Sequence, residues 1–455
     1  MFFASSNKHS LLFQNLIAGF PMSHRSLHHA LFFIAIALTS QTAYSEDWVR
    51  FRGVNGAGVS SDTKVPINWS DTKNLVWKTA MPGAGSSSPI VAGDHVFVTC
   101  YSGYGVPTEN AGSIESLERH LVCLNRNDGT IEWKKTIPGG SPEDRYQGYI
   151  SEHGYASNTP TVDNERVYCF LGKSGVIAFD FNGEQLWQTN VGKESGNRQW
   201  GSGASLVLYK DLVIVNASEE NQAIIALDKS TGKERWKAQA ATLELAYGTP
   251  SLVKINEDRV DLVVGVPGEV WGLNPDTGKL TWFAEHDLTG NICPSIISKD
   301  DLVFVFGGFR SAGSFAVRAG GDGDVTDSKI LWTSRNSSYV ATPILYEGHL
   351  YWISDNGQAF CVVAETGELV YRERVAEIKA GGRPVYASPV IANGNIYVPS
   401  RKDGVLVLPA KPTYSIIAQN QFTGDESDFN ATPAISDNQM FIRSNSFLYC
   451  LANGN

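Results

Sequence analysis

The chain has 455 residues, 42% hydrophobic and 18% charged, with a formal charge of −10. That acidic balance argues against a nucleic-acid binder, which needs a basic face. Few charges and 11% aromatics argue against disorder and coiled coil.

Residues 1–45 contain Lys8, Arg25 and no acid. Met22, Arg25, His28 and His29 precede an apolar run over residues 30–38, and Ala43-Tyr44-Ser45 has the small-x-small pattern of a cleavage site. This order predicts a signal peptide cut near Ser45, with Met22 as an alternative start and Glu46 near the mature N-terminus. The apolar run is about half of what a membrane span needs, so no transmembrane anchor is expected. No Cys near the cut indicates a lipid anchor. Losing two basic residues leaves 35 against 47 acidic ones, a net of −12. The expected product is an acidic, monomeric, periplasmic or secreted protein.

Length alone suggests about three domains, but 44 Gly and 11 Trp against 4 Met suit repeated strands and tight turns. Two signals recur after residue 46. The first is a small residue and Pro that open an apolar strand: Ser88-Pro89, Thr159-Pro160, Thr249-Pro250, Cys293-Pro294, Thr342-Pro343, Ser388-Pro389 and Thr432-Pro433. Gly203-Ala204-Ser205 fills the same place without Pro. The first gap is 71 residues and the others are 44 to 49. A second strand of period-two alternation follows each, as at His95, Arg166, Asp211 and Asn395. The second signal is a turn Gly with an aromatic four residues on: Gly129 and Trp133, Gly183 and Trp187, Gly232 and Trp236, Gly278 and Trp282, Gly367 and Tyr371. Gly supplies the positive φ of a tight hairpin.

Each period thus holds four short strands. A four-stranded unit of roughly 45 residues is a propeller blade, which must stack on neighbours to bury its faces. Eight such units predict an all-β, eight-bladed propeller over residues 46–455. Residues 75–79 look like an outer strand with no blade before it, and the last blade lacks one. The segment around Trp77 is therefore expected to complete the C-terminal blade and close the ring, protecting both sheet edges. The seventh blade is degenerate, with residues 414–418 as its expected outer strand. Long connections at 101–120 and 137–157 are where binding determinants tend to sit.

The string ALDKSTGKERW resembles the pyrroloquinoline-quinone (PQQ) type propeller repeat. Trp133, Trp187, Trp236, Trp282 and Trp332 match that family's blade-docking Trp, and Trp77 is given the same role. DWVRFRGVNGAGVS, NLVWKTAMPGAGSSSPIV, HGYASNTP, GKSGVIAFD, VPGEVWGL and SDFNATPAISD look like a secreted bacterial subgroup of PQQ-like propellers. The resemblance implies two functional classes. Quinoprotein alcohol and glucose dehydrogenases hold PQQ and Ca²⁺ over the channel, with an Asp base that takes a proton as hydride moves to the quinone. The alcohol dehydrogenases also stack an adjacent-Cys disulfide ring on the cofactor. The other class is the non-catalytic, BamB-type scaffold of outer-membrane β-barrel assembly, which binds a partner through loops. This chain has no adjacent Cys pair and lacks the dehydrogenases' large insertions. A binding scaffold for a protein or small-molecule partner is therefore expected, with a PQQ- and Ca²⁺-dependent oxidoreductase as the alternative.

Segments just before each Pro-type strand are expected at one mouth of the channel. They carry Tyr155, Tyr247, Tyr339, Tyr386 and Phe429, accompanied by Arg145, Glu152, His153, Arg198, Arg335, Arg383 and Asp428. Convergent aromatics and charges suit a polar ring-shaped ligand or a peptide loop. The plainer reading is a loop network that plugs the mouth. His153 is a candidate base if Glu152 or Asp428 orients it, but no catalytic residue is assigned. Residues 320–327, GGDGDVTD, offer oxygens for Ca²⁺ but lack the EF-hand spacing, so a hairpin turn is expected. No metal site, HExxH, Walker loop or nucleophile elbow is read. The six Cys form no CxxC. Cys123, Cys361 and Cys450 stand where other repeats carry Ala and read as small buried residues, with a Cys100–Cys123 disulfide as the alternative.

Overall fold

Short runs of alternating apolar residues, each ended by a Gly, Asn or Asp turn, fold here as antiparallel strands stacked in repeated sheets. The computed structural model describes residues 47–107 and 110–454. The predicted signal peptide and its cleavage point lie outside the described residues. Eight sheets, each with four antiparallel strands, make an eight-bladed propeller. Blade 1 consists of Ile90–Ala92, His95–Ser102, Glu118–Asn125 and Ile131–Pro138. The second and third strands of a blade, such as Arg166–Phe170 and Val176–Asp180, are buried on both faces because neighbouring blades cover them. The fourth strand is largely exposed.

Leu75–Ala80 pairs antiparallel with Phe447–Leu451 and supplies the fourth strand of blade 8. Trp77 faces Cys450 there, as Trp133 faces Cys123 in blade 1. The ring is therefore closed by strands from both ends of the chain. Arg443 of blade 8, fully buried, spans this seam. Its Nη1 donates to Ser87 Oγ at 2.6 Å and to the Thr99 carbonyl at 2.6 Å.

The small residue that opens each blade has a second task. Its hydroxyl accepts the backbone N–H of the matching residue in the preceding blade. Seven such bonds of 2.9 to 3.1 Å run from Ser88 through Thr159, Ser205, Thr249, Ser295, Thr342 and Ser388 to Thr432. In blade 5 the position belongs to Ser295, not Cys293, because Pro294 precedes the hydroxyl instead of following it. Counted on the hydroxyls, the later spacings tighten to 44–47 residues.

The Gly-to-aromatic signal is likewise a contact between blades. Trp77 Nε1 donates to the Arg126 carbonyl of blade 1 at 2.8 Å. Trp133, Trp187, Trp236 and Trp332 donate to Phe181, Lys229, Pro275 and Ala364 of the following blade at 2.9 to 3.0 Å. The ring lies against the next blade's turn Gly. At Gly129 (φ +73°) an added Cβ would sit 2.5 Å from the Trp77 ring. Trp282 departs from this pattern. It turns into its own blade, over Gly272, and donates to Asp261 Oδ2 at 2.8 Å. Blade 5 offers it no tight Gly hairpin, since the connection from Arg318 to Ile330 is long although it contains Gly320, Gly321 and Gly323. There, Gly323–Asp324 adds to Leu280–Glu285 as a parallel fifth strand, and Asp324 Oδ1 accepts from Thr326 N at 2.9 Å where the helical turn Thr326–Lys329 begins. This replaces the hairpin turn expected at 320–327.

One further expectation is corrected, and the alternative Cys100–Cys123 disulfide is excluded. The outer strand of blade 7 is Ala418–Asn420 rather than 414–418. Pro412 lacks the N–H of a ladder residue, Tyr414 packs on Tyr371, and Asn420 holds Trp69 N and the Ile67 carbonyl through its amide. All six cysteines are free. Cys100 faces His120 and Cys123 faces Phe97, and the two side chains enter different cores on opposite faces of the sheet. No disulfide can join them.

Residues 48–60 cross the fold as a strap. Trp48 and Val49 carbonyls accept from Val91 and Val162, Arg52 donates to the Thr342 and Pro343 carbonyls, and Ser60 N donates to Ile391. The strap thereby ties blades 1, 2, 6 and 7 together.

Candidate functional site

The hydroxyl ring forms the wall of a channel cavity of about 170 Å³. Phe51 from the strap enters it, and Tyr149, His153, Trp200, Tyr247, Tyr339 and Tyr386 line its opening. Tyr149 arrives on the 137–157 connection, just before the single-turn helix Ile150–His153. Its ring meets Trp200 edge-on at 4.3 Å, and Trp200 stacks on Tyr247 at 5.8 Å. Tyr149 also reaches Tyr339, hydroxyl to hydroxyl at 3.4 Å, across 190 residues of sequence. The Arg383 guanidinium lies 4.9 Å from the Tyr149 ring and 4.6 Å from the Tyr339 ring. An aromatic bridge with an arginine against it therefore crosses the opening.

A second cluster is built on Arg401. It binds Glu152 Oε2 at 2.5 Å and Asp428 Oδ2 at 2.6 Å, and it lies over the Tyr386 ring at 5.0 Å. Lys402 adds a contact to Asp428 at 2.9 Å. Burial pushes the hydroxyls of Tyr339 and Tyr386 up to about 12. Both are neutral donors at neutral pH.

His153 is held differently from the sequence expectation. Glu152 and Asp428 are taken by Arg401, and neither reaches the imidazole. His153 Nε2 lies 2.9 Å from the Trp200 carbonyl, which can only accept. Nε2 therefore carries the proton, and Nδ1 accepts from Ser157 Oγ at 2.6 Å. Burial lowers its pKa, so the ring is neutral and acts as a strut between the 137–157 connection and Trp200.

The structure separates the remaining candidates. Tyr247 donates to Glu219 Oε1 at 2.7 Å. Arg198 is exposed and faces Trp200 at 5.7 Å. Arg335 is exposed and lines a shallow cavity of about 320 Å³ beside Tyr339, with Arg310, Arg372 and Arg383. Three residues are not at the opening. Arg145 is exposed on its connection and does not line the cavity. Tyr155 is buried against Tyr101 and Tyr104 after the turn at Gly154 (φ +74°), its hydroxyl on the Asp144 carbonyl. Phe429 packs on Phe422 and Tyr449, because successive extended residues point to opposite sides and its neighbours Asp428 and Asn430 take the channel side.

Tyr149, Trp200 and Arg401 are not marked out by the sequence reading. The first two lie on long blade connections, a usable signal. Arg401 follows the second strand of its blade, a position that carries no repeat mark. Also unforeseen is a buried charge network beneath the rim. Arg119 forks onto Glu143 at 2.6 and 3.0 Å, and Lys173 meets Asp144 at 3.1 Å. Beside them Glu220 accepts from Ser202 at 2.8 Å, while its Oε2 has no hydrogen-bond partner. Burial raises the Glu220 pKa to about 7.

A family model described as outer membrane protein assembly factor BamB matches residues 101–243 and 182–417. Tetrathionate hydrolase of Acidithiobacillus ferrooxidans is 21% identical over 370 residues, 75% of this chain and 68% of that one. Polyvinylalcohol dehydrogenase of a Pseudomonas species is 24% identical over 318 residues, 50% of each chain. The crystal structure of BamB from Moraxella catarrhalis superposes with a TM-score of 0.58 at 15% identity, over 84% of this chain and 98% of that one. This last likeness concerns the fold alone. The chain spans 50% to 68% of the length of these two curated relatives. The family match runs through blades 1 to 7, and with the propeller now described the chain belongs to the BamB-type family of PQQ-like repeat propellers.

Proposed function

We propose that this protein is an exported, non-catalytic binding module that grips a loop of a partner protein at the channel opening. Residues 1–45 act as its signal peptide in this reading, and the monomeric propeller works in the periplasm or outside the cell. Among the described residues no helix is long and apolar enough to cross a membrane. The observation that carries the proposal is the aromatic bridge of Tyr149 and Tyr339 with Arg383 against it. It divides the opening into a rim of rings and cations. Arg198, Arg310, Arg335 and Arg372 stand around it, and Phe309 beside them is 46% exposed. On an acidic chain, such a rim favours a loop that carries aromatic and acidic residues.

The oxidoreductase reading draws support from the likeness to polyvinylalcohol dehydrogenase. The residues present do not fit PQQ and Ca²⁺. The cavity of about 170 Å³ is smaller than the roughly 300–1,000 Å³ of small-molecule sites. Glu152 and Asp428, carboxylates beside the opening, are already paired with Arg401 and Lys402 and are not free to hold Ca²⁺. Co-purification from envelope extracts with wild type, Arg383→Ala and Trp200→Ala tests the scaffold reading. The proposal expects partners held by wild type to be lost from both variants while both keep the wild-type far-ultraviolet circular dichroism spectrum. Equal retention by all three would remove the opening from partner binding.

A further inference from the structure

Three ligating atoms meet on blade 1, outside the channel opening. His95 Nδ1 lies 2.9 Å from Glu132 Oε2, and Cys123 Sγ lies 3.6 Å from each. They come from three consecutive strands. His95 faces Asn125, two residues beyond Cys123, so His95 and Cys123 share a face of the sheet. Trp133 faces Cys123 and Ile131 faces Leu124, which leaves Glu132 as the extra residue of a β-bulge. The bulge turns its carboxylate onto the face of Cys123. The same bulge recurs without the full donor set: blade 2 has Arg166, Ala178 and Leu186 at these positions, and blade 6 keeps His349 and Cys361 but has Val370 in place of the carboxylate. Among the described residues, the blade 1 trio is the group of His, Cys and acidic side chains close enough to share an ion.

The donor set decides the ion. A thiolate, an imidazole and a carboxylate suit a borderline-soft divalent ion of the zinc class. Tetrahedral bonds of that ion would hold such donors roughly 3.3–3.6 Å apart; both sulfur separations match, and the His95–Glu132 hydrogen bond at 2.9 Å would open by roughly 0.4 Å to admit the ion. Thiolate and carboxylate together balance the ion's charge. His95 and Glu132 are 31% and 30% exposed above the buried Cys123, which opens a path and a fourth coordination position to solvent. The outer contacts are also in place. Glu132 Oε1 accepts from Asn125 Nδ2 at 3.1 Å, and Phe181 stacks on the His95 ring at 5.9 Å.

We propose that His95, Cys123 and Glu132 bind a Zn²⁺-class ion, with solvent as fourth ligand, which staples the second, third and fourth strands of blade 1. The test is a Co²⁺ titration of the metal-free full chain. The expected result is a one-to-one thiolate-to-cobalt charge-transfer band, displaced by Zn²⁺, together with a Zn²⁺-induced rise in melting temperature. Cys123→Ala should abolish the band and the rise. It should fold, because blades 2, 3 and 5 carry Ala178, Ala226 and Ala316 at this position. Glu132→Gln, at a part-exposed bulge, should weaken Co²⁺ binding at least tenfold while keeping the charge-transfer band at saturation. No thiolate band in wild type, or a band that survives in Cys123→Ala, would overturn the assignment.

Discussion

Replacing Trp77 tests how the ring is closed. Its side chain is 7% exposed, packs on Phe441, covers the Gly129 turn and donates to the Arg126 carbonyl. Truncating a buried Trp to Ala costs about 3–5 kcal/mol through lost burial and the cavity left behind. Trp77→Phe keeps most of the ring and loses the hydrogen bond, which costs about 1 kcal/mol. Leu186→Ala, at a residue 43% exposed, is the control and should stay within about 0.5 kcal/mol. Urea unfolding followed by tryptophan fluorescence and by far-ultraviolet circular dichroism measures all three. Trp77→Ala should be destabilised several-fold more than Trp77→Phe. A Trp77→Ala protein as stable as the Leu186→Ala control would refute closure by the Leu75–Ala80 strand.

Glu220→Gln should stabilise the protein at neutral pH. Burial holds Glu220 near 7 in the folded chain, above its ordinary 4.5. Between those values the folded state keeps a proton that the unfolded chain has released. The Glu220 contribution to stability is therefore fullest below about pH 4.5 and falls by up to about 3 kcal/mol as pH rises to 7; the gap between wild-type and variant melting curves should widen by that amount across this range. Arg443→Ala removes the buried cation from the seam between blades 8 and 1 and should cost about 3 kcal/mol in chemical unfolding. Denatured but unreduced protein should titrate six thiols. Four thiols instead would reveal a disulfide.

The repeat was legible because its marks are contacts made between one blade and the next. A Gly is required wherever the preceding Trp lies on the turn, so the spacing survives sequence drift. Trp282 was not legible, since its inward turn follows from the long connection that replaces a tight Gly hairpin in blade 5. The register at Cys293-Pro294-Ser295 was misread because Pro, not the hydroxyl that bonds, served as the marker. At the opening, aromatics near the crossovers are legible, but Phe429 and Asp428 are both expected there although successive extended residues face opposite sides. Arg401 and Glu152 meet across 249 residues, and no local pattern announces such a pair. The same holds for Glu132, which a one-residue bulge moves beside Cys123.

The central claim is that the channel opening serves a partner loop and not a quinone. A titration of the purified mature protein with PQQ and Ca²⁺, followed by absorbance and by dye-coupled turnover of alcohols and sugars, tests it most directly. The scaffold reading predicts neither saturable uptake nor turnover. One-to-one PQQ binding with turnover, lost on mutation of the residues that line the channel cavity, would contradict it.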